Sequence, residues 1–252
     1  MLFVAWSLVA AVAGTGARAE LRRASAVRGG PLRPAMEAAP VSADAAGVEA
    51  SPEVGELLAR YNAGIRRALA GIVSLRVAQT MFEPQDDGTT KRACAILRYD
   101  RERGMVREET FSELVYPVGE YTLSSLVGPL LDPSEYRVEY AGAEEAEGVP
   151  CHRLEVTAIS RDHAHFDGSI WISIEGCAPV RIVGRVADPP FPAKEVTLTK
   201  VFAGGDHNLW LVRRHTGRGE FRILFLTKRG ERTIYYDDYE TEFSEPAAEP
   251  SP

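Results

Sequence analysis

The sequence predicts a mainly β, α+β protein built on one antiparallel sheet. Three observations carry this. Short runs from about Ile72 to Tyr239 alternate apolar and polar residues and are broken by turn residues. The stretch DGSIWISIEGCAPVRIVGRV repeats one beat in both arms of a hairpin. Ile170, Ile172 and Ile174 share one side, then Val180, Ile182 and Val186 after a Gly-Cys-Ala-Pro turn. No βαβ rhythm and no internal repeat occurs, so consecutive strands must pair antiparallel.

The first segment, MLFVAWSLVAAVAGTGARAE, has an apolar run from Leu2 to Val12 and ends in Ala17-Arg18-Ala19. This is an A-x-A cleavage pattern and predicts a signal peptide over 1–19, with the mature chain starting at Glu20. The apolar run is short of the roughly 20 residues that span a bilayer. No cysteine stands at the cleavage point, so no lipid anchor is expected and the mature protein is read as soluble and periplasmic. Residues 20–51 are rich in Ala, Gly, Pro and Arg without a period, and read as a disordered linker. The end, 244–252, reads as a disordered tail, leaving one domain over 52–243.

Ser51-Pro52-Glu53 has the order of a helix start, with an N-cap, a first-turn proline and an acid. Val54, Leu57, Leu58, Tyr61, Ile65, Leu69 and Ile72 then form one stripe, and Gly71 closes the helix. Strands follow at Val73 to Met81, Lys91 to Tyr99 and Met105 to Phe111. LSSLVGPLLDP predicts a second helix from Leu123 to Leu131. Tyr136 to Tyr140 and Cys151 to Thr157 flank an acidic turn. After the Ile170 hairpin come Glu195 to Val201, Leu209 to Arg214, Phe221 to Leu226 and Thr233 to Tyr239. This makes about eleven strands and two helices.

Net charge is −7 with both signs interspersed, which argues against nucleic acid and against a polybasic membrane contact. Cys94, Cys151 and Cys177 are an odd set without CxxC. They read as buried apolar residues, with one disulfide as the alternative. His163 and His165, beside Asp162 and Asp167, have a spacing that could ligate a metal, but a polar loop explains them and no metal is assigned. No GxSxG, HExxH or SxxK set is readable with its partners, so no catalytic residues and no cofactor are assigned and the chain is read as not an enzyme.

Arg76, Arg98, Arg107, Arg181, Arg185, Arg213 and Arg222 lie on predicted strands and alternate with apolar neighbours. They read either as a solvated outer face or, in one or two cases, as the mouth of a cavity. The opposite face supplies the cavity candidates. From the first strands these are Leu75, Val77, Met81, Leu97 and Phe111, and from the central hairpin Ile172 and Ile182. From the last strands they are Phe202, Phe221, Phe225 and Tyr235. A packed core explains them equally well. A curved sheet with only two covering helices tends, however, to enclose space that suits an apolar ligand.

The order of segments resembles the LolA/LolB-like lipoprotein carrier family. The resemblance runs from about Pro52 to Phe243. It rests on the N-terminal helix, the strand SLRVAQTMF, the hairpin ILRYDRERGMVREE and the helical LSSLVGPLLDP. The pair EYRVEY and EEAEGVPCHRLEVTA and the hairpin GSIWISIEGCAPVRIVG continue it. It implies an incomplete antiparallel β-barrel with helices as a lid over an apolar cavity. It implies a periplasmic, monomeric carrier of lipid or lipoprotein acyl chains, with membrane-side donor and acceptor proteins. Ser173 stands where many relatives have Asp. The family's functional arginine sits near an early hairpin, where Arg98, Arg101 and Arg103 compete as polar mouth residues. The alternative is an envelope sensor or scaffold that uses the same fold to bind a protein partner.

Overall fold

The computed structural model describes residues 54–114, 121–205, 209–223 and 226–244, with no side chains described at 223 and 226. The segments expected to be a signal peptide and a linker, the expected helix start at Ser51-Pro52-Glu53, Phe225 and the residues after Ser244 lie outside these residues. Helix α1 spans Val54–Gly71 and runs directly into β1, Ile72–Pro84. The hairpin β2 (Thr90–Asp100) and β3 (Gly104–Ser112) follows, then the short helix α2, Leu123–Val127. Seven strands complete the chain: β4 (Tyr136–Ala146), β5 (Val149–Ala158), β6 (Phe166–Ser173), β7 (Pro179–Val186), β8 (Ala193–Gly204), β9 (Trp210–Ile223) and β10 (Leu226–Phe243).

All ten strands form one antiparallel sheet in the order β3-β2-β1-β10-β9-β8-β7-β6-β5-β4. The order is linear, so the sheet is an open, unclosed barrel with β3 and β4 at its ends. Each neighbour in space is a neighbour in sequence except at β1–β10, where the first and last strands pair. That pair brings two hairpin blocks into one sheet and is the long-range step of the fold.

Among the described residues the strand count is ten, not eleven. Gly217 and Gly219 suggest a break after Arg214, but β9 runs through them, pairing Gly217 with Leu198 and Arg232, and Gly219 with Val196 and Gly230. The pairing of β9 with β10 runs up to Ile223 opposite Leu226. β4 is also longer than the sequence implies. The acidic run stays in the strand, and only Glu147-Gly148 turns, both at positive φ (52° and 80°). That is the two-residue geometry whose twist suits a tight hairpin.

Helix α2 is shorter than its apolar spacing suggests. Gly128 leaves the helix at φ 129°, and Pro129 follows, which disfavours helical backbone in the residue before it. Leu131 is nonetheless fully buried, because the extended residues after Gly128 press onto the same core.

Alternation sorts the two sheet faces. On β1, Leu75, Val77, Gln79 and Met81 point inward and their neighbours outward. Ile170 and Ile182 sit opposite each other on the inner face. A bulge at Trp171/Ile172 takes Val180 out of that row, and it packs instead with Ala146 and Cys151 in a small second cluster. Gly184 is needed on the inner face, since a Cβ there would come within 2.6 Å of the Phe166 ring.

On the outer face, Trp171 lies between Arg153 and Arg181, whose guanidinium carbons stand 5.5 and 5.3 Å from its ring centroid. Arg76 pairs with Glu240 at 2.9 Å, and Arg98 with Glu108 at 3.4 Å. Arg107 departs from this pattern: it pairs opposite inward-facing Leu97 and its side chain is mostly covered. The three cysteines are free thiols, Cys151 and Cys177 buried and Cys94 half-buried.

Candidate functional site: the helix-covered face of the sheet

Both helices lie on the inner face of the sheet. The buried residues of α1, Leu57, Leu58, Tyr61, Asn62 and Ile65, fall on one stripe, and four of them join Leu126 and Leu131 in the main core. The sheet supplies the floor of that core. Leu75, Val77, Met81, Leu97, Ile172, Ile182 and Phe202 are all buried in it. In this structure the helices fill the space these residues face.

The helices are held by few polar contacts. Asn62 donates Nδ2 to the Leu131 carbonyl at 2.9 Å and accepts from the Leu131 N–H through Oδ1 at 2.9 Å. The Tyr61 hydroxyl donates to the Pro129 carbonyl at 2.8 Å, and its burial pushes the phenol far above its ordinary pKa. Lys200 on β8 donates Nζ to the Ser125 carbonyl of α2 at 2.9 Å. The first three bonds join α1 to the segment after α2, and the fourth ties α2 to the floor.

A second set of polar groups occupies the inner face near β1 and β10. Gln79 donates Nε2 to the Tyr121 hydroxyl at 2.7 Å, and burial pushes that phenol up to about 12. Among the described residues, Gln79 Oε1 and Arg107 Nε have no hydrogen-bond partner. Arg232 is buried and donates Nε to Glu83 Oε2 at 3.0 Å, so its charge is compensated.

The remaining sequence candidates lie elsewhere. Phe221 is buried but outside the main cluster. Phe111, 42% exposed, stacks under the Arg92 guanidinium, and Tyr235, 39% exposed, meets Phe82 edge-on. Both therefore correct the expectation of an inward position. Tyr235 sits between the inward residues Ile234 and Tyr236, and the Cys94/Ala95 bulge shifts the end of β3 by one residue.

The three mouth arginines do not reach the inner face. Arg101 donates to the Ala70 carbonyl and so caps the C-terminal end of α1. Arg98 lies between inward Leu97 and Tyr99, so it points outward. With Arg76 and Arg103 it lines an open groove of about 640 Å³ that also contains Asp100, Glu240 and Glu242. In the loop before β6, His165 bonds Asp162 at 2.7 Å and packs on Tyr136 at 5.2 Å, while Asp167 accepts from the Ala158 N–H. These are the contacts of a folded polar loop.

Asn62, Gln79, Lys200, His215 and Arg232 are functional candidates that sequence reasoning missed. A signal was present. Gln79 falls between Val77 and Met81 in one alternating row. Lys200 continues the row of Val196 and Leu198, and Arg232 begins the row of Ile234 and Tyr236. A polar residue in an apolar row marks a buried polar group.

No protein-family model and no curated protein matches the sequence. Among solved structures it is similar to a LolA superfamily protein from Nitrosomonas europaea, at 9% identity and a TM-score of 0.43, covering 75% of this chain and 93% of that one. A domain described as an outer membrane lipoprotein-sorting protein from Vibrio parahaemolyticus matches at 10% identity and a TM-score of 0.41, covering 73% and 93%. The MucA/MucB complex of Pseudomonas aeruginosa matches at 11% identity and a TM-score of 0.24, covering 72% and 92%. Among the described residues no helix is long and apolar enough to cross a membrane.

Proposed function

We propose that this protein is an exported, periplasmic carrier that holds an acyl chain of a lipid or lipoprotein on the inner face of its sheet. The observation that supports this is the lid. Two helices cover a mainly apolar floor, α1 being fixed to the segment after α2 by three side-chain hydrogen bonds and α2 to the sheet by a fourth. An acyl chain takes the place of Leu57, Leu58, Ile65 and Leu126 when the lid swings out.

The magnitudes are matched. Taking about fourteen methylenes out of water is worth about 11 kcal/mol, at about 0.8 kcal/mol each. Exposing four large aliphatic side chains costs about 2 kcal/mol each, and the hydrogen bonds about 1 kcal/mol each. Loading is therefore close to balanced, which suits a carrier that must release its cargo to a better apolar sink.

The test is native mass spectrometry of the exported chain purified without detergent, followed by titration with a fluorescent fatty acid. Co-purifying acyl lipid, or saturable binding that speeds up in Asn62→Leu, supports the carrier. An empty protein whose Asn62→Leu variant also binds no fatty acid removes it, and a filled sheet with a protein partner becomes the reading to pursue.

A further inference from the structure

The floor beneath α2 contains a cation with no counter-charge. Lys200 is 6% exposed, and among the described residues no carboxylate lies within ion-pair distance of its Nζ. Its hydrogen bond goes to a neutral group, the Ser125 carbonyl. On the next strand His215 stands directly opposite, 8% exposed, with Nε2 lacking any hydrogen-bond partner among the described residues. Burial lowers the lysine to about 8, and burial together with Lys200 lowers the histidine to about 3, so an ammonium faces a neutral imidazole at neutral pH. The surroundings are apolar: Ile182 is the cross-strand neighbour of Lys200, and Ile234 that of His215.

A buried ammonium without an anion is costly, and an unpartnered imidazole nitrogen beside it adds to the cost. Arg232 shows the other solution on the same face, since Glu83 neutralises it. The carbonyl that Lys200 does use belongs to the helix that must move for loading. When α2 lifts, Ser125 leaves with it, and an ammonium with free donors stands beside an imidazole within an apolar floor, between Leu198 and Phe202 along its strand.

We infer that Lys200 and His215 form a headgroup site for a single carboxylate, making the preferred cargo a free long-chain fatty acid. This rests on the carrier reading and narrows it. One ammonium balances one negative charge, and the neutral imidazole adds an N–H donor without adding charge. A phosphate dianion would need a second uncompensated cation, and Arg232, also buried on this face, is already paired with Glu83.

The experiment compares palmitate, hexadecanol and hexadecyl phosphate as displacers of a fluorescent acyl probe from the full exported chain. Wild type is expected to bind palmitate at least about 10-fold more tightly than hexadecanol, a difference of about 1.4 kcal/mol. Lys200→Met is expected to bind both equally. Lys200→Gln retains a donor toward the Ser125 carbonyl but no charge, and serves if the Met variant does not fold; it too should lose the preference. Equal binding of acid and alcohol by wild type, or a preference that survives in the variants, overturns the carboxylate site while leaving the carrier standing. Tightest binding of hexadecyl phosphate also overturns it. Failure of all three ligands to bind removes the carrier reading itself.

Discussion

Replacing Asn62 by Leu tests whether the helices are a separable lid. Asn62 is 6% exposed and spends its amide on both backbone groups of Leu131, each at 2.9 Å. Leucine keeps the same γ-branched outline with four heavy atoms and favours the helix by a few tenths of a kcal/mol. It leaves the Leu131 N–H and carbonyl buried without partners, at about 1–3 kcal/mol each. Allowing for the added apolar contact, the closed lid loses about 2–3 kcal/mol. Each 1.4 kcal/mol is tenfold, so opening becomes about 30- to 150-fold more frequent.

Amide hydrogen exchange at neutral pH reads this directly. Protection of Leu57 to Ile65 in α1 is expected to fall by that factor. The central pair β6 and β7, held by its own ladder, should change much less. An unchanged α1 refutes the latch. An equal loss in β6 and β7 refutes the separable lid, because the helices would then open only when the whole sheet does.

His215 gives an acid-stability prediction. Its folded pKa lies at about 3, and the unfolded chain titrates near the ordinary 6.5. As pH falls through that window the unfolded state takes up the proton first, so stability drops, by about 3 kcal/mol between pH 7 and pH 4. Urea midpoints at the two pH values check it, and His215→Leu should show a smaller drop. Lys200 acts in the alkaline window: between about 8 and 10.5 the unfolded state holds the extra proton, and stability is expected to rise with pH. In Lys200→Met that rise should disappear from the same urea series. Glu83→Gln leaves the buried Arg232 guanidinium without its carboxylate and is expected to cost about 3 kcal/mol by chemical denaturation, whereas Glu108→Gln, at an exposed pair, should cost under about 1 kcal/mol. A native thiol assay is expected to label Cys94 ahead of Cys151 and Cys177, with all three reacting after denaturation without reductant.

Local pattern made much of the fold readable. The two-residue beat of Ile170, Ile172 and Ile182 marked the central hairpin, and the α1 stripe marked the helix face. Local signals misled where a neighbour overruled them. Gly217 and Gly219 look like a break, yet ladders on both sides keep them extended. The acidic run Glu144-Glu145 looks like a loop, yet it pairs with Cys151 and Pro150. Phe111 and Tyr235 look like core, but a bulge and strict alternation turn them outward. Of the mouth arginines, Arg98 is turned outward by its strand position, whereas Arg101 and Arg103 stand in the turn between β2 and β3.

The sequence by itself determined the antiparallel strands, the hairpin order and one face for α1, because period and turn chemistry act over a few residues. Only the tertiary structure decided that β1 pairs with β10, that Asn62 locks Leu131 across 69 residues, and that Lys200 and His215 meet beneath α2. Those contacts depend on register between distant segments, and the polar groups in them take their character from what buries them. A lysine in a sequence is a soluble cation; this one becomes a candidate headgroup site because the sheet and a helix remove its water and supply no anion.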